Sequence, residues 1–259
     1  MELKTLWEAR NWIPFGFRTA GYGAVSITTG PFTQGRTSLW AMRSWCQISA
    51  KKLGINIITS GFENIPEPPF VYCANHQSLI DILCLGATLP HDYKWAAKRS
   101  LMNIPFLGWH LKLSGHIPVD RKAGPEAAAK VIDNFTKVLH NKKPILVFPE
   151  GTRSESGVIK SFKQGPFIAA TSVNVPVVPV ALEGTRTLMV KGAPAMREDT
   201  IRDVRIRVGA PIHPNMSLER EACINDLRDR TRAAIVKMHL EIGGQQPEDV
   251  QQLLATAAE

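Results

Sequence analysis

Phe70-Val71-Tyr72-Cys73-Ala74, running directly into Asn75-His76-Gln77-Ser78-Leu79-Ile80-Asp81, decides how this 259-residue chain folds. The first five residues are apolar and partly β-branched and read as a core strand. Leu79-Ile80 and Ile82-Leu83-Cys84-Leu85 read as a helix packed on that strand. His76 falls on the turn between them, where α/β proteins place their chemistry. Positions five apart on a regular helix face about 140° away from each other. His76 therefore meets Asp81 only if it lies outside the helix and leans back over its first turn. Asp81 then holds one ring N–H and leaves the other nitrogen free to take a proton. The same residues also fit a capping box, Ser78-x-x-Asp81, in which Asp81 merely caps the helix. Ser78 makes a poor nucleophile, because a hydroxyl at a helix start is expected to turn toward backbone N–H groups.

Outward from this block, strands alternate with helices. Ile55–Thr59, Tyr93–Ala97, Ile145–Phe148 and Val177–Ala181 read as strands, and Val204–Val208 alternates in the manner of an edge strand. Gly124-Pro125 opens a helix through Asn141, with Val131, Phe135 and Val138 on its inward face. Gly165-Pro166 starts a short helix, and Ile224, Leu227, Thr231, Ala234 and Met238 mark an amphipathic one. The expected fold is α/β, a largely parallel mixed sheet flanked by helices. Residues 53–243 make the main domain, preceded by a helical segment, 1–52, and followed by a loosely held tail, 244–259.

Three further blocks follow His76–Asp81: Gly115-His116-Ile117-Pro118-Val119-Asp120-Arg121, Phe148-Pro149-Glu150-Gly151-Thr152-Arg153-Ser154 and Val175-Pro176-Val177-Val178-Pro179-Val180. In this order and at these separations the blocks resemble the four motifs of the glycerolipid acyltransferases, over roughly residues 54–212. H-x-x-x-x-D alone is a weak pattern. Joined to Glu150-Gly151-Thr152-Arg153 at the end of a strand, it is strong.

The resemblance implies an O-acyltransferase acting on phospholipid precursors. A fatty acyl group passes from acyl-CoA or acyl carrier protein to the free sn-2 hydroxyl of 1-acyl-glycerol-3-phosphate, giving phosphatidic acid. Other acceptors of the same class are a different lysophospholipid, a lyso-ornithine lipid or glycerol 3-phosphate; a different class is a non-catalytic lipid-binding protein of this fold. His76 would be the general base and Asp81 its orienter, with no covalent intermediate. Backbone N–H groups at the helix start after His76 would hold the oxyanion. The acceptor phosphate calls for Arg153, with Gly151 letting the backbone approach it, Thr152 adding a hydroxyl, and Arg121 and Lys98 as further cations. Glu150 either orients Arg153 or accepts a bond from the glycerol backbone. The segment Lys98–Leu101 with Ile104–Trp109 either lines an acyl channel or packs as an ordinary helix-loop. No metal cluster and no cofactor is expected.

Residues 1–52 mix Trp7, Trp12, Trp40 and Trp45 with Phe15, Phe17, Tyr22 and Phe32, and carry seven lysines and arginines against Glu2 and Glu8. Aromatic rings among basic groups suit a membrane headgroup layer. No run of about 18 apolar residues occurs, so a peripheral or monotopic helical segment is expected rather than a span. The alternative is a helical pair packed on the main domain through the same aromatics. A net charge of +8 calls for an anionic partner. Scattered basic residues without a nucleic-acid motif favour an anionic membrane surface and a phosphate-bearing lipid over nucleic acid. Four cysteines without paired or ligand spacing, and a start without a signal-peptide run, make the cytoplasmic face of the inner membrane the expected setting.

Overall fold

The structure is a computed structural model that describes residues 3–120, 124–193, 195–197 and 199–247, with side chains from residue 12 onward. Two helices, α1 (Leu3–Thr29) and α2 (Arg36–Lys52), precede the sheet and are broken apart at Gly30-Pro31. Then follow β1 (Asn56–Ser60), β2 (Val71–Ala74), α3 (Ile80–Thr88), β3 (Lys94–Lys98), α4 (Leu107–Leu113) and β4 (Ile117–Val119). The rest comprises α5 (Pro125–His140), β5 (Ile145–Val147), α6 (Gly165–Val173), β6 (Val177–Glu183), α7 (Thr185–Leu188), β7 (Asp203–Val208) and α8 (Arg220–Glu241).

The seven strands form one sheet in the order β1-β7-β6-β2-β5-β3-β4. Five neighbouring pairs are parallel and one, β6 with β7, is antiparallel. β2 lies in the middle, paired with β5 on one side and β6 on the other. Both its faces are covered, which is why its sequence is a continuous apolar run rather than an alternation. Because side chains alternate, Phe70, Tyr72 and Ala74 enter one core with α2 and α3 residues, while Val71 and Cys73 enter the other with α5, α6 and α8. All four cysteines are buried and free.

Two expectations are corrected. β7 does not lie at an edge: it sits between β1 and β6, and the edge strands are β1 and β4. Its alternation records which side chains are covered, not a missing hydrogen-bonding neighbour. The tail beyond Gly244 is not wholly loose either. Gln246 is buried, accepts the Ile159 N–H and donates toward Gly157 O; residues 248–259 lie outside the described residues. The strand β4, inside the block Gly115–Arg121, was not anticipated, being three residues with Pro118 at its centre.

Among the described residues no helix is long and apolar enough to cross a membrane. α1 instead packs on the main domain: a Cβ at Gly23 would stand 2.8 Å from Phe106 Cβ, so only glycine allows that approach. The N-terminal aromatics divide between two faces. Phe15, Tyr22 and Trp45 turn inward, whereas Phe17, Phe32 and Trp40 are largely exposed.

Candidate active site

The parallel strands β6, β2, β5, β3 and β4 all point their C-terminal ends at one edge of the sheet, and the site is built there. As β2 ends, the Asn75 side chain replaces the backbone ladder. It donates to Leu182 O (2.9 Å) and accepts from Leu182 N–H (2.7 Å), so the chain leaves the sheet from a pinned position. His76 comes next, outside α3, and leans back over the first turn. Its Nδ1 lies 2.7 Å from Asp81 Oδ2.

Asp81 is fully buried and accepts four hydrogen bonds. Oδ2 takes His76 Nδ1–H, Gln77 N–H (2.7 Å) and Ser78 N–H (2.9 Å), and Oδ1 takes the Thr185 hydroxyl. Asp81 thus pins the turn that leads into α3 and orients His76 at once, and the same oxygen does both. An acceptor at Nδ1 puts the ring proton there and leaves the Nε2 lone pair available. Nε2 has no hydrogen-bond partner among the described residues. The imidazole face rests on Phe148, with centroids 4.1 Å apart and planes 18° from parallel, which fixes the second ring direction.

The loop after β5 is tied to His76 by two bonds. His76 N–H donates to Glu150 Oε1 (2.8 Å), and Ser154 N–H donates to His76 O (2.7 Å). Glu150 also accepts the Lys160 N–H through Oε2 (3.1 Å), so each oxygen of this buried carboxylate holds a backbone group. Its observed contacts are therefore with the frame of the turn, and neither Arg153 nor an outward-facing position engages it. Gly151 has φ of 72°, the left-handed region that turns the loop back past His76. Thr152 and Arg153 are half-buried on that loop, and Arg153 immediately precedes Ser154, whose N–H binds His76 O. The Arg153 guanidinium has no partner among the described residues.

Burial raises the Glu150 pKa to about 7, against the two N–H bonds that favour its charged form. The folded state therefore binds this proton more tightly than the unfolded chain, and stability falls as pH rises from about 4.5 to about 7. Comparing urea midpoints at pH 5 and pH 8 checks this: the wild type is expected to lose a few kcal/mol more across the interval than Glu150→Gln.

Lys98 ends β3 and is exposed, two strands from β2 and so about 10 Å along the sheet edge. Arg121 lies outside the described residues. Two expectations about the turn are revised. The Ser78 hydroxyl donates to Met189 O (2.7 Å) rather than engaging backbone N–H groups, which removes it as a nucleophile. The Gln77 and Ser78 N–H groups are spent on Asp81 and are not free for an oxyanion. Thr185, Asn75 and Phe148 are site residues beyond those expected from the sequence; Gly184-Thr185, one residue after the apolar run 177–182, is the available signal for the first. Among the described residues no cluster suited to a metal ion occurs.

Beside the turn, between the sheet and α1–α2, lies a cavity of about 610 Å³. Its walls include Phe15, Tyr22, Ala41, Trp45, Leu83 and Leu101, and it comes up to Leu79, three residues beyond His76, and to Met189. Of the segment 98–109, Leu101 and Leu107 face the cavity while Ile104 and Trp109 are exposed.

Residues 56–183 match the profile of the family described as Acyltransferase. Over this stretch the chain is similar to the acyltransferase family. A Saccharomyces cerevisiae 1-acyl-sn-glycerol-3-phosphate acyltransferase is 38% identical over 149 residues, 57% of this chain and 49% of that one. The human 1-acyl-sn-glycerol-3-phosphate acyltransferase alpha is 30% identical over 190 residues, 73% of this chain and 65% of that protein. The matches to the yeast, Chlamydomonas reinhardtii and two plant acyltransferases each span about half the length of the relative. The crystal structure of the 1-acyl-sn-glycerophosphate acyltransferase from Thermotoga maritima superposes with a TM-score of 0.70 at 25% identity, covering 88% of this chain and 94% of that one. The acyltransferase match ends at Glu183, so the family profile includes His76, Asp81 and Arg153 but not Thr185.

Proposed function

We propose that this chain is an acyltransferase that moves a fatty acyl group from a thioester, acyl-CoA or acyl carrier protein, to the free hydroxyl of 1-acyl-glycerol-3-phosphate, giving phosphatidic acid. The observation that carries this reading is the 2.7 Å His76–Asp81 pair, with Nε2 unspent, set beside a large apolar cavity. The acceptor hydroxyl gives its proton to His76 Nε2 while its oxygen attacks the thioester carbonyl. The C–O bond forms, the C–S bond breaks, and the thiolate leaves with the proton returned by the imidazolium. Asp81 stabilises that imidazolium and keeps Nε2 facing the substrates. The cavity takes an acyl chain, whose burial supplies about 25 cal/mol per Å² of apolar surface. The relatives named as 1-acyl-sn-glycerol-3-phosphate acyltransferases support the choice of acceptor. The test is thiol release from an acyl thioester with a panel of acceptors. Release dependent on lysophosphatidic acid, with phosphatidic acid formed, is expected; equal rates on acceptors without phosphate would move the assignment to another lipid.

Arg153, on the loop whose Ser154 N–H binds His76 O, is proposed to grip the acceptor phosphate, with Thr152 beside it. Lys98, exposed at the end of β3, adds field rather than contact. Arg153→Ala is expected to raise KM for lysophosphatidic acid by roughly tenfold to a hundredfold, the worth of one charge-assisted contact, with a smaller change for the donor. Arg153→Lys should recover only part of this, because an ammonium cannot make a bidentate bond. Initial-rate kinetics with each substrate varied in turn checks both.

The exposed face of α1–α2 is proposed to rest on an anionic membrane surface, the cytoplasmic face of the inner membrane, without crossing it. Phe17, Phe32 and Trp40 offer apolar contact, and Lys51 and Lys52 lie exposed at the end of α2. Phe17→Ser with Phe32→Ser should release the protein from anionic vesicles in a sedimentation assay while leaving thermal stability nearly unchanged, since neither ring is in the core. Added salt should loosen, not abolish, wild-type binding.

A further inference from the structure

The cavity that takes the acyl chain is apolar along most of its length but not throughout. Three nitrogen-bearing side chains, Trp95, His110 and His116, stand in its wall, each more than nine-tenths buried. Trp95 pairs with Leu146, which pairs with Tyr72, four residues before His76. The polar patch therefore lies about 13 Å down the sheet from the base, at four residues of about 3.3 Å each.

The patch is internally organised. The Trp95 backbone N–H donates to His116 Nδ1 (2.9 Å), and the His116 and His110 rings are 5.7 Å apart. His110 Nδ1 lies 2.6 Å from the Ser26 hydroxyl, which in turn reaches Ser38 (3.0 Å). Two atoms are left over: Trp95 Nε1 and His110 Nε2 are buried with no hydrogen-bond partner. Neither has appreciable surface open to water, so contact with a ligand requires a small turn of each ring. A hydrophobic wall would hold a plain hydrocarbon chain without leaving either nitrogen unspent.

We propose that this pocket selects an acyl chain bearing a neutral oxygen, a hydroxyl, in its middle or distal part. A hydroxyl accepts from Trp95 Nε1–H, and it both donates and accepts, so it satisfies His110 Nε2 in either tautomer. An ionised group does not fit. Burial lowers the His110 pKa to about 4 and the His116 pKa to about 3, so both rings are neutral at pH 7 and offer no counter-charge.

The inference rests on the reading of the cavity as the acyl site, and the experiment separates the two. Wild-type protein is assayed with lysophosphatidic acid and a long saturated acyl-CoA, alongside a series carrying one hydroxyl at successive carbons. One hydroxyl position is expected to give a kcat/KM about 3- to 10-fold above the unsubstituted chain, the worth of a neutral hydrogen bond. Trp95→Phe and His110→Phe should each bring that ratio down toward or below one, read as a ratio within each variant so that altered overall activity does not enter. A parallel arm uses Ala41→Trp to fill the cavity. If that variant still takes long chains as well as short ones, the cavity is not the acyl site and both readings fall. If it excludes long chains but no hydroxyl position is preferred in the wild type, the hydroxyl proposal alone is overturned.

Discussion

His76→Ala is expected to lower kcat by at least about 10²–10⁴, the usual worth of a positioned general base. KM for each substrate should change little, because the ring contacts the reacting hydroxyl and neither the phosphate nor the acyl chain. The fold should survive. What anchors the turn is backbone and neighbouring side chains: Asn75 on Leu182, the His76 N–H on Glu150, and Ser154 N–H on His76 O. Removing the ring uncovers Phe148 and takes one donor from Asp81, which keeps three. Steady-state kinetics with circular dichroism and a melting curve on the same preparation checks all of this. Near-normal turnover in a folded His76→Ala protein would contradict the mechanism.

Asp81 should separate geometry from charge. Asp81→Asn can keep three of the four bonds as they are: an amide oxygen in the Oδ2 position accepts from His76, Gln77 and Ser78. Its NH₂ then faces Thr185, whose hydroxyl can reverse from donor to acceptor. This variant should remain folded with the same imidazole tautomer, yet lose the negative charge that stabilises the imidazolium. kcat is expected to drop about 10- to 150-fold, corresponding to about 1.5–3 kcal/mol for a hydrogen bond to a charged group. Asp81→Leu is different in kind. It leaves two backbone N–H groups, a ring N–H and a hydroxyl buried without an acceptor, and should cost about 3–5 kcal/mol of stability in a denaturant titration. A stable Asp81→Leu protein would mean the turn is held by other bonds than these.

Much of the sheet could be read from residue types, because parallel strands covered on both faces are runs of Val, Ile and Leu bounded by polar turns. β2, β3, β5, β6 and β7 lie within a residue or two of their expected places. β4 was missed because three residues with a central proline carry almost no periodic signal. β7 lies inside the sheet although its sequence alternates, because alternation says which face is covered and nothing about neighbours. The pairing of His76 with Asp81 was legible from one spacing rule, since a gap of five demands that the histidine stand outside the helix. What spacing could not supply was the partner set of each carboxylate. Thr185 reaches Asp81 across 104 positions, and Glu150 reaches His76 N–H across 74. Those long-range bonds depend on which strands lie side by side, information that no local pattern holds. Among the N-terminal aromatics, Phe15, Tyr22 and Trp45 face the cavity while Phe17, Phe32 and Trp40 face outward, a division that residue type alone does not encode.

In direct transfer His76 takes the acceptor's proton and no acyl group is ever bonded to the protein. Rapid-quench measurement of thiol released from acyl-CoA, with enzyme in stoichiometric amount, tests this most directly. With lysophosphatidic acid present, the wild type should release one thiol per phosphatidic acid formed, and His76→Ala should do so at least about a hundredfold more slowly. With the acceptor omitted, neither should release thiol in a burst. A burst of thiol without acceptor, leaving an acyl group on the protein, would contradict the account.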